Sequence, residues 1–77
     1  MLIEIFGTGC AKCQTLEKNA KQAAERSGGD HAVVKVSDYA AIAARGILST
    51  PALAIDGRTL FQGKVASADE ILGQLKA

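Results

Sequence analysis

The chain has 77 residues, of which 48% are hydrophobic and 22% charged, and its 9 basic and 8 acidic side chains leave a formal net charge of +1. That length supports one small domain, residues 1–77, burying a little over about 60% of its extended-chain surface, and it excludes a large enzyme with a deep substrate cavity. Near-neutral charge and 4% aromatic content argue against nucleic acid, an acidic substrate or a membrane surface as the partner.

Leu2 to Phe6 is a compact apolar run broken only by Glu4 and reads as a strand. Gly7-Thr8-Gly9 ends it. From Cys10 to about Ser27 the apolar positions Cys13, Leu16, Ala20, Ala23 and Ala24 recur at spacings of three and four, which predicts a helix with one buried stripe. Glu17 and Lys21 stand in the favourable i,i+4 order on its outer surface. Gly28-Gly29-Asp30 stops the helix, and Ala32 to Val36 is a second strand. Ser37 or Asp38 caps a short helix, Tyr39 to Arg45, which Gly46 terminates. Pro51 to Ile55 is a third strand, Asp56-Gly57 a two-residue hairpin turn, and Arg58 to Gln62 a fourth strand. Ser67 and Glu70 have the spacing of a capping box and open a last helix that runs to Leu75. Ile71 stands at the inner position of a hydrophobic staple whose outer position holds only the small Ala66.

The predicted order is β-α-β-α-β-β-α. A right-handed crossover makes the first two strands parallel, and the hairpin adds an antiparallel pair. The fold class is therefore α/β, with a mixed four-stranded sheet flanked by helices. Met1 to Phe6 is too short for a signal peptide and the other apolar runs are shorter than a membrane span, so the cytoplasm is the expected location.

Both cysteines lie in Cys10-Ala11-Lys12-Cys13, between the first strand and the first helix. Thiols in the cytoplasm are kept reduced, so a pair at this spacing reads as catalytic or metal-binding rather than as a structural staple, with an inert pair as the remaining alternative. Residues three apart in a helix have Cα atoms about 5 Å apart, within reach of a disulfide. Cys10 falls where amide N–H groups lack intrahelical partners and the helix dipole is positive, and Lys12 adds a nearby cation; all three favour its thiolate and make it the nucleophile. Cys13, one turn in on the apolar stripe, is expected to be more buried and to act second. Tyr39 and Phe61 read as core or rim packing, Phe6 as an anchor for the first strand beneath the cysteine loop, and the lysines of the first helix as a solvated face.

Taken together, Gly7-Thr8-Gly9-Cys10-Ala11-Lys12-Cys13, Ser49-Thr50-Pro51-Ala52-Leu53, Asp56-Gly57 and Gly63 give a chain that resembles, over nearly its whole length, the small thioredoxin-like and glutaredoxin-like redox-active disulfide proteins. The resemblance implies a minimal thioredoxin-like fold, thiol–disulfide exchange with protein disulfides through Cys10 and Cys13, a reductase that recharges the dithiol, no cofactor, and a monomer. It also implies a cis Thr50–Pro51 bond opposite the cysteines, with the Thr50 backbone pairing with the partner's extended segment and Lys12 beside it. Without it, Pro51 reads as a trans proline opening a strand. The chain departs from the larger members: Thr8-Gly9 stands where a tryptophan precedes the first cysteine, and no proline separates the cysteines. Glu4 is the only carboxylate in the strand leading to the site, and its ordinary reading is solvent exposure rather than proton acceptance.

The rival reading is a small metal-binding module holding Cu(I) or Zn(II) through the two thiolates. Against it, Thr8 occupies the position where such modules carry a methionine, and the chain ends in a capped helix rather than a strand. Zinc would also need further ligands, and His31 is the only histidine.

Overall fold

A computed structural model describes residues 1–9 and 11–76. Among these residues the order is β1 (Leu2–Phe6), α1 (Ala11–Ser27), β2 (Ala32–Val36), α2 (Tyr39–Ala44), β3 (Ala52–Ile55), β4 (Arg58–Gln62) and α3 (Ala68–Lys76). The strands form one sheet in the order β2-β1-β3-β4. β1 is parallel to β2, as the crossover requires, and antiparallel to β3, while β3 and β4 form the hairpin. The fold is thus the mixed α/β arrangement read from the sequence.

Strand alternation divides the sheet's two faces. Ile3, Ile5, Leu53 and Ile55 face α1 and α3, where they pack with Leu16, Ala20, Ala23, Ala66, Ile71 and Leu75. Ala20, Ala23 and Ala66 are fully buried, and their small side chains let α1 and α3 approach each other closely. On the opposite face Phe6, Ala52 and Ala54 pack with Ile42 of α2 and with Ile47. Every residue of β3 is buried, which is why it reads as an unbroken apolar run: it lies between two strands and beneath helices on both sides.

The turns follow their local chemistry. Asp56 and Gly57 both have positive φ, 51° and 86°, the geometry of a type I′ hairpin. Asp56 also ties the hairpin to the start of β1: its Oδ1 accepts from the Leu2 N–H at 2.7 Å, and its N–H donates to the Leu2 carbonyl at 2.8 Å. The capping box of α3 is closed in both directions at 3.1 Å, Glu70 N–H to Ser67 Oγ and Ser67 N–H to Glu70 Oε1. Ala66 and Ile71, the two staple positions, are both fully buried.

Several boundaries and environments differ from the sequence reading. α2 ends at Ala44, because Arg45 is its C-cap and Gly46 turns the chain at φ 74°. Its N-cap is Asp38, whose carboxylate accepts from the Ala40 N–H. β3 begins at Ala52 rather than Pro51, and α3 extends to Lys76. Tyr39 is 74% exposed rather than packed, since so short a helix buries only Ile42. Phe6, by contrast, is fully buried at the end of β1, in the cluster with Ile42 and Ile47.

Candidate functional site

The site lies where β1 ends and α1 begins. Gly7, buried, continues β1 and donates its N–H to the Val36 carbonyl at 3.0 Å, so the strand end is fixed to β2. Gly9 turns the chain at φ 88°, a conformation open to glycine. The Gln14 carboxamide holds this turn by donating to the Gly9 carbonyl at 3.1 Å. Cys10, the expected nucleophile, lies outside the described residues. Cys13 is in the first turn of α1 and is 2% exposed, on the stripe with Leu16, Ala20 and Ala23. Lys12 is exposed on the same turn, which carries no acidic side chain.

Cys13 packs against Gly7 with no room to spare. A Cβ built on Gly7 would fall 2.2 Å from Cys13 Sγ and 3.1 Å from Cys13 Cβ. Its φ lies outside the positive region, so glycine is required there for space alone.

Pro51 approaches from the neighbouring strand. Phe6 is paired with Ala52 in the antiparallel register of β1 and β3, and one step further that register sets Pro51 beside Gly7. The Thr50–Pro51 peptide is cis. Pro51 is buried, and its carbonyl accepts from the Gly63 N–H at 2.9 Å. Thr50 is exposed, and among the described residues its backbone N–H and C=O make no hydrogen bond. Leu48, two residues before it, is 93% exposed, while its N–H donates to Gln62 Oε1 at 3.1 Å.

Glu4 is not solvent-exposed as its ordinary reading has it. Its side chain is 14% exposed and points to the α2 face, where Arg45 grips both carboxylate oxygens at 3.0 Å. The hydrogen bond that Arg45 donates to the Glu4 carboxylate raises the guanidinium pKa above its ordinary value. Arg45 also lies over the Phe6 ring, 5.2 Å from its centroid. His31 lies between α1 and β2, at the end of α1 remote from Cys13. Among the described residues no three His, Cys, Asp or Glu side chains are grouped to hold a metal ion.

The sequence reading missed Gly7, Arg45 and Leu48. Gly7 reads there as a strand breaker and Arg45 as the end of a helix, while Leu48 receives no reading. Of the three, only the Gly7-Thr8-Gly9 spacing beside the cysteines carried a signal.

Comparison with known proteins agrees with this geometry. The family model for the thioredoxin domain matches residues 1–76. The chain belongs to the thioredoxin domain family. A thioredoxin of Methanothermobacter thermautotrophicus is 45% identical over 71 residues, covering 92% of each chain. A thioredoxin of Methanocaldococcus jannaschii is 43% identical over 77 residues, covering 100% of this chain and 88% of that one. The four-stranded mixed sheet with flanking helices is the thioredoxin-like fold that the resemblance implied. Among the described residues no helix is long and apolar enough to cross a membrane.

Proposed function

We propose that this member of the thioredoxin family is a thiol–disulfide oxidoreductase acting on protein disulfides, with Cys10 as attacking and Cys13 as resolving thiol. The observation that carries the reading is the setting of Cys13. It is 2% exposed in the first turn of α1, three residues after Cys10, beside the strand end that Pro51 flanks. A thiol so placed is sheltered from outside disulfides and within reach of one made by its neighbour in sequence.

The chemistry runs in two displacements. The Cys10 thiolate attacks one sulfur of the partner disulfide; that S–S bond breaks, and the partner's other sulfur leaves as a thiolate and takes up a proton. Cys13 gives its proton to solvent and attacks the Cys10 sulfur. The Cys10–Cys13 bond forms, the bond to the partner breaks, and the second partner sulfur leaves and is protonated. Two electrons have passed from the dithiol to the partner, and a reductase then returns two to the Cys10–Cys13 disulfide. The second displacement is intramolecular, which makes it fast.

The exposed Thr50 backbone beside Pro51 supports strand addition as the docking mode, with its N–H and C=O open to the partner's extended segment. Lys12, exposed beside the pair, supplies positive charge to the Cys10 thiolate and faces the bound segment. The protein works as a single-domain monomer in the cytoplasm, without a cofactor.

The test uses two variants and a redox titration. Cys10→Ser abolishes reduction of a protein disulfide, and Cys13→Ser accumulates mixed disulfides whose partners are identified by mass spectrometry. If the unaltered protein forms no intramolecular disulfide across a glutathione and dithiothreitol series, the reading fails.

A further inference from the structure

We propose that Gly7 is the positioning residue for the resolving thiol: the missing side chain at the end of β1 is the seat of Cys13 Sγ, and it sets both the rate of resolution and the dithiol–disulfide equilibrium. This rests on the reading of Cys13 given above. Gly9, Gly28, Gly46, Gly57 and Gly63 all have positive φ, whereas Gly7 does not, so its φ is not one that demands glycine. What it cannot carry is a Cβ, because that atom would stand 2.2 Å from Cys13 Sγ. A carbon and a sulfur need roughly 3.5–4 Å between them, so the sulfur would have to withdraw by more than about 1 Å.

Neither backbone is placed to give way instead. Gly7 is held by its hydrogen bond to Val36 and continues the fully buried Ile5 and Phe6. α1 is held by Leu16, Ala20 and Ala23, all fully buried. The least costly response to a methyl group at position 7 is rotation of Cys13 about χ1, and a jump between staggered rotamers carries a sulfur by roughly 3 Å. A disulfide tolerates little such displacement, since its sulfurs must meet at about 2.05 Å with a dihedral near 90°. Displaced by that much, Cys13 loses its line of attack on the Cys10 sulfur, and the closed disulfide loses stability relative to the dithiol. Gly7 has no side chain with which to transfer a proton; it acts only through where it lets Cys13 sit.

Reduced protein and its Gly7→Ala variant are each mixed with excess glutathione disulfide, quenched with acid and resolved by mass spectrometry. The unaltered protein passes through the mixed disulfide with glutathione to the closed Cys10–Cys13 form. Gly7→Ala accumulates the mixed disulfide and resolves it at least about tenfold more slowly. At equilibrium with glutathione its closed form is about tenfold less favoured, equivalent to about 30 mV toward easier reduction. Wild-type rates and potential in Gly7→Ala overturn the proposal alone. An unaltered protein that never closes its own disulfide overturns the oxidoreductase reading, and the positioning role with it.

Should Gly7→Ala fold poorly, adding Cys13→Ala decides the matter. Removal of Sγ relieves the 2.2 Å contact and leaves only the 3.1 Å contact to Cβ. The double variant should then recover at least about half of the lost thermal midpoint. No recovery means that position 7 disturbs the fold by another route, and the proposal falls.

Discussion

Replacing Leu16 by alanine tests whether the α1 stripe holds the site in place. Leu16 is fully buried among Ile3, Ile5, Leu53 and Ile71, one turn after Cys13 on the same face. Leu16→Ala deletes three carbons, worth about 2.4 kcal/mol of transfer free energy at about 0.8 kcal/mol each. The sheet beneath is fixed by register on both sides and collapses little. A residual void of roughly 30 Å³, at about 24 cal/mol per Å³, adds about 0.7 kcal/mol. The total is about 3 kcal/mol, against about 4–12 kcal/mol for a whole domain of this size. Urea denaturation followed by far-ultraviolet circular dichroism measures the loss directly, and the thermal midpoint should drop by about 12–24 °C. Gln22→Ala, on the exposed face of the same helix, should stay within about 0.5 kcal/mol of the parent. A loss below about 1 kcal/mol for Leu16→Ala, or equal losses for the two variants, would refute the packing argument.

The capping box of α3 carries a pH signature. The Glu70 carboxyl is held below its ordinary value of 4.5, first by the Lys64 ammonium and then by the Ser67 backbone N–H. A depressed carboxyl stabilises the fold fully above its unfolded value, and that contribution disappears as pH falls through the lower folded value. Urea midpoints measured downward from about pH 6 should therefore decline less steeply in Glu70→Gln than in the parent, and parallel curves would show that the box contributes nothing through this charge. Asn19 links α1 to the segment before α3, its Nδ2 donating to the Ala66 carbonyl at 2.9 Å. Ala66 is fully buried, so Asn19→Ala strands that carbonyl and should cost about 1–2 kcal/mol in the same assay. Asn19→Asp, which sets an acceptor against an acceptor, should cost more near neutral pH, and the reverse order would count against the bond.

The element order was legible because each segment announces itself locally. Short apolar runs bounded by glycine and turn residues mark the strands, the stripe through Leu16, Ala20 and Ala23 marks α1, and Ser67 with Glu70 marks the start of α3. What the sequence hid depends on residues far apart. Glu4 and Arg45 are 41 positions apart and meet only because α2 folds back across the sheet. The contact of Gly7 with Cys13 has no periodic signature, since a glycine between a strand and a helix is fully explained as a breaker. Tyr39 misled because an aromatic residue in a helix is usually packed, whereas a helix of 6 residues has too little buried face to hold it. The spacing of Cys10 and Cys13 was plain from the outset, and the structure adds the burial of the second thiol and the backbone against which it rests.

β1, the strand nearest the start of the chain, occupies an interior place in the sheet, flanked by residues 32–36 and 52–55. During synthesis it therefore emerges before either neighbour exists. It gains its parallel partner after a helical crossover and its antiparallel partner only once Ala52–Ile55 has been made. Until then Ile3 and Ile5 have no completed sheet beside them, and Gly7 has no fixed strand end on which to hold a sulfur. The seat of Cys13 against Gly7 is thus acquired late, because it depends on pairings that loop closure delays. An oxidant that met Cys13 earlier would find an accessible thiol, without the shelter that the finished sheet and α1 provide.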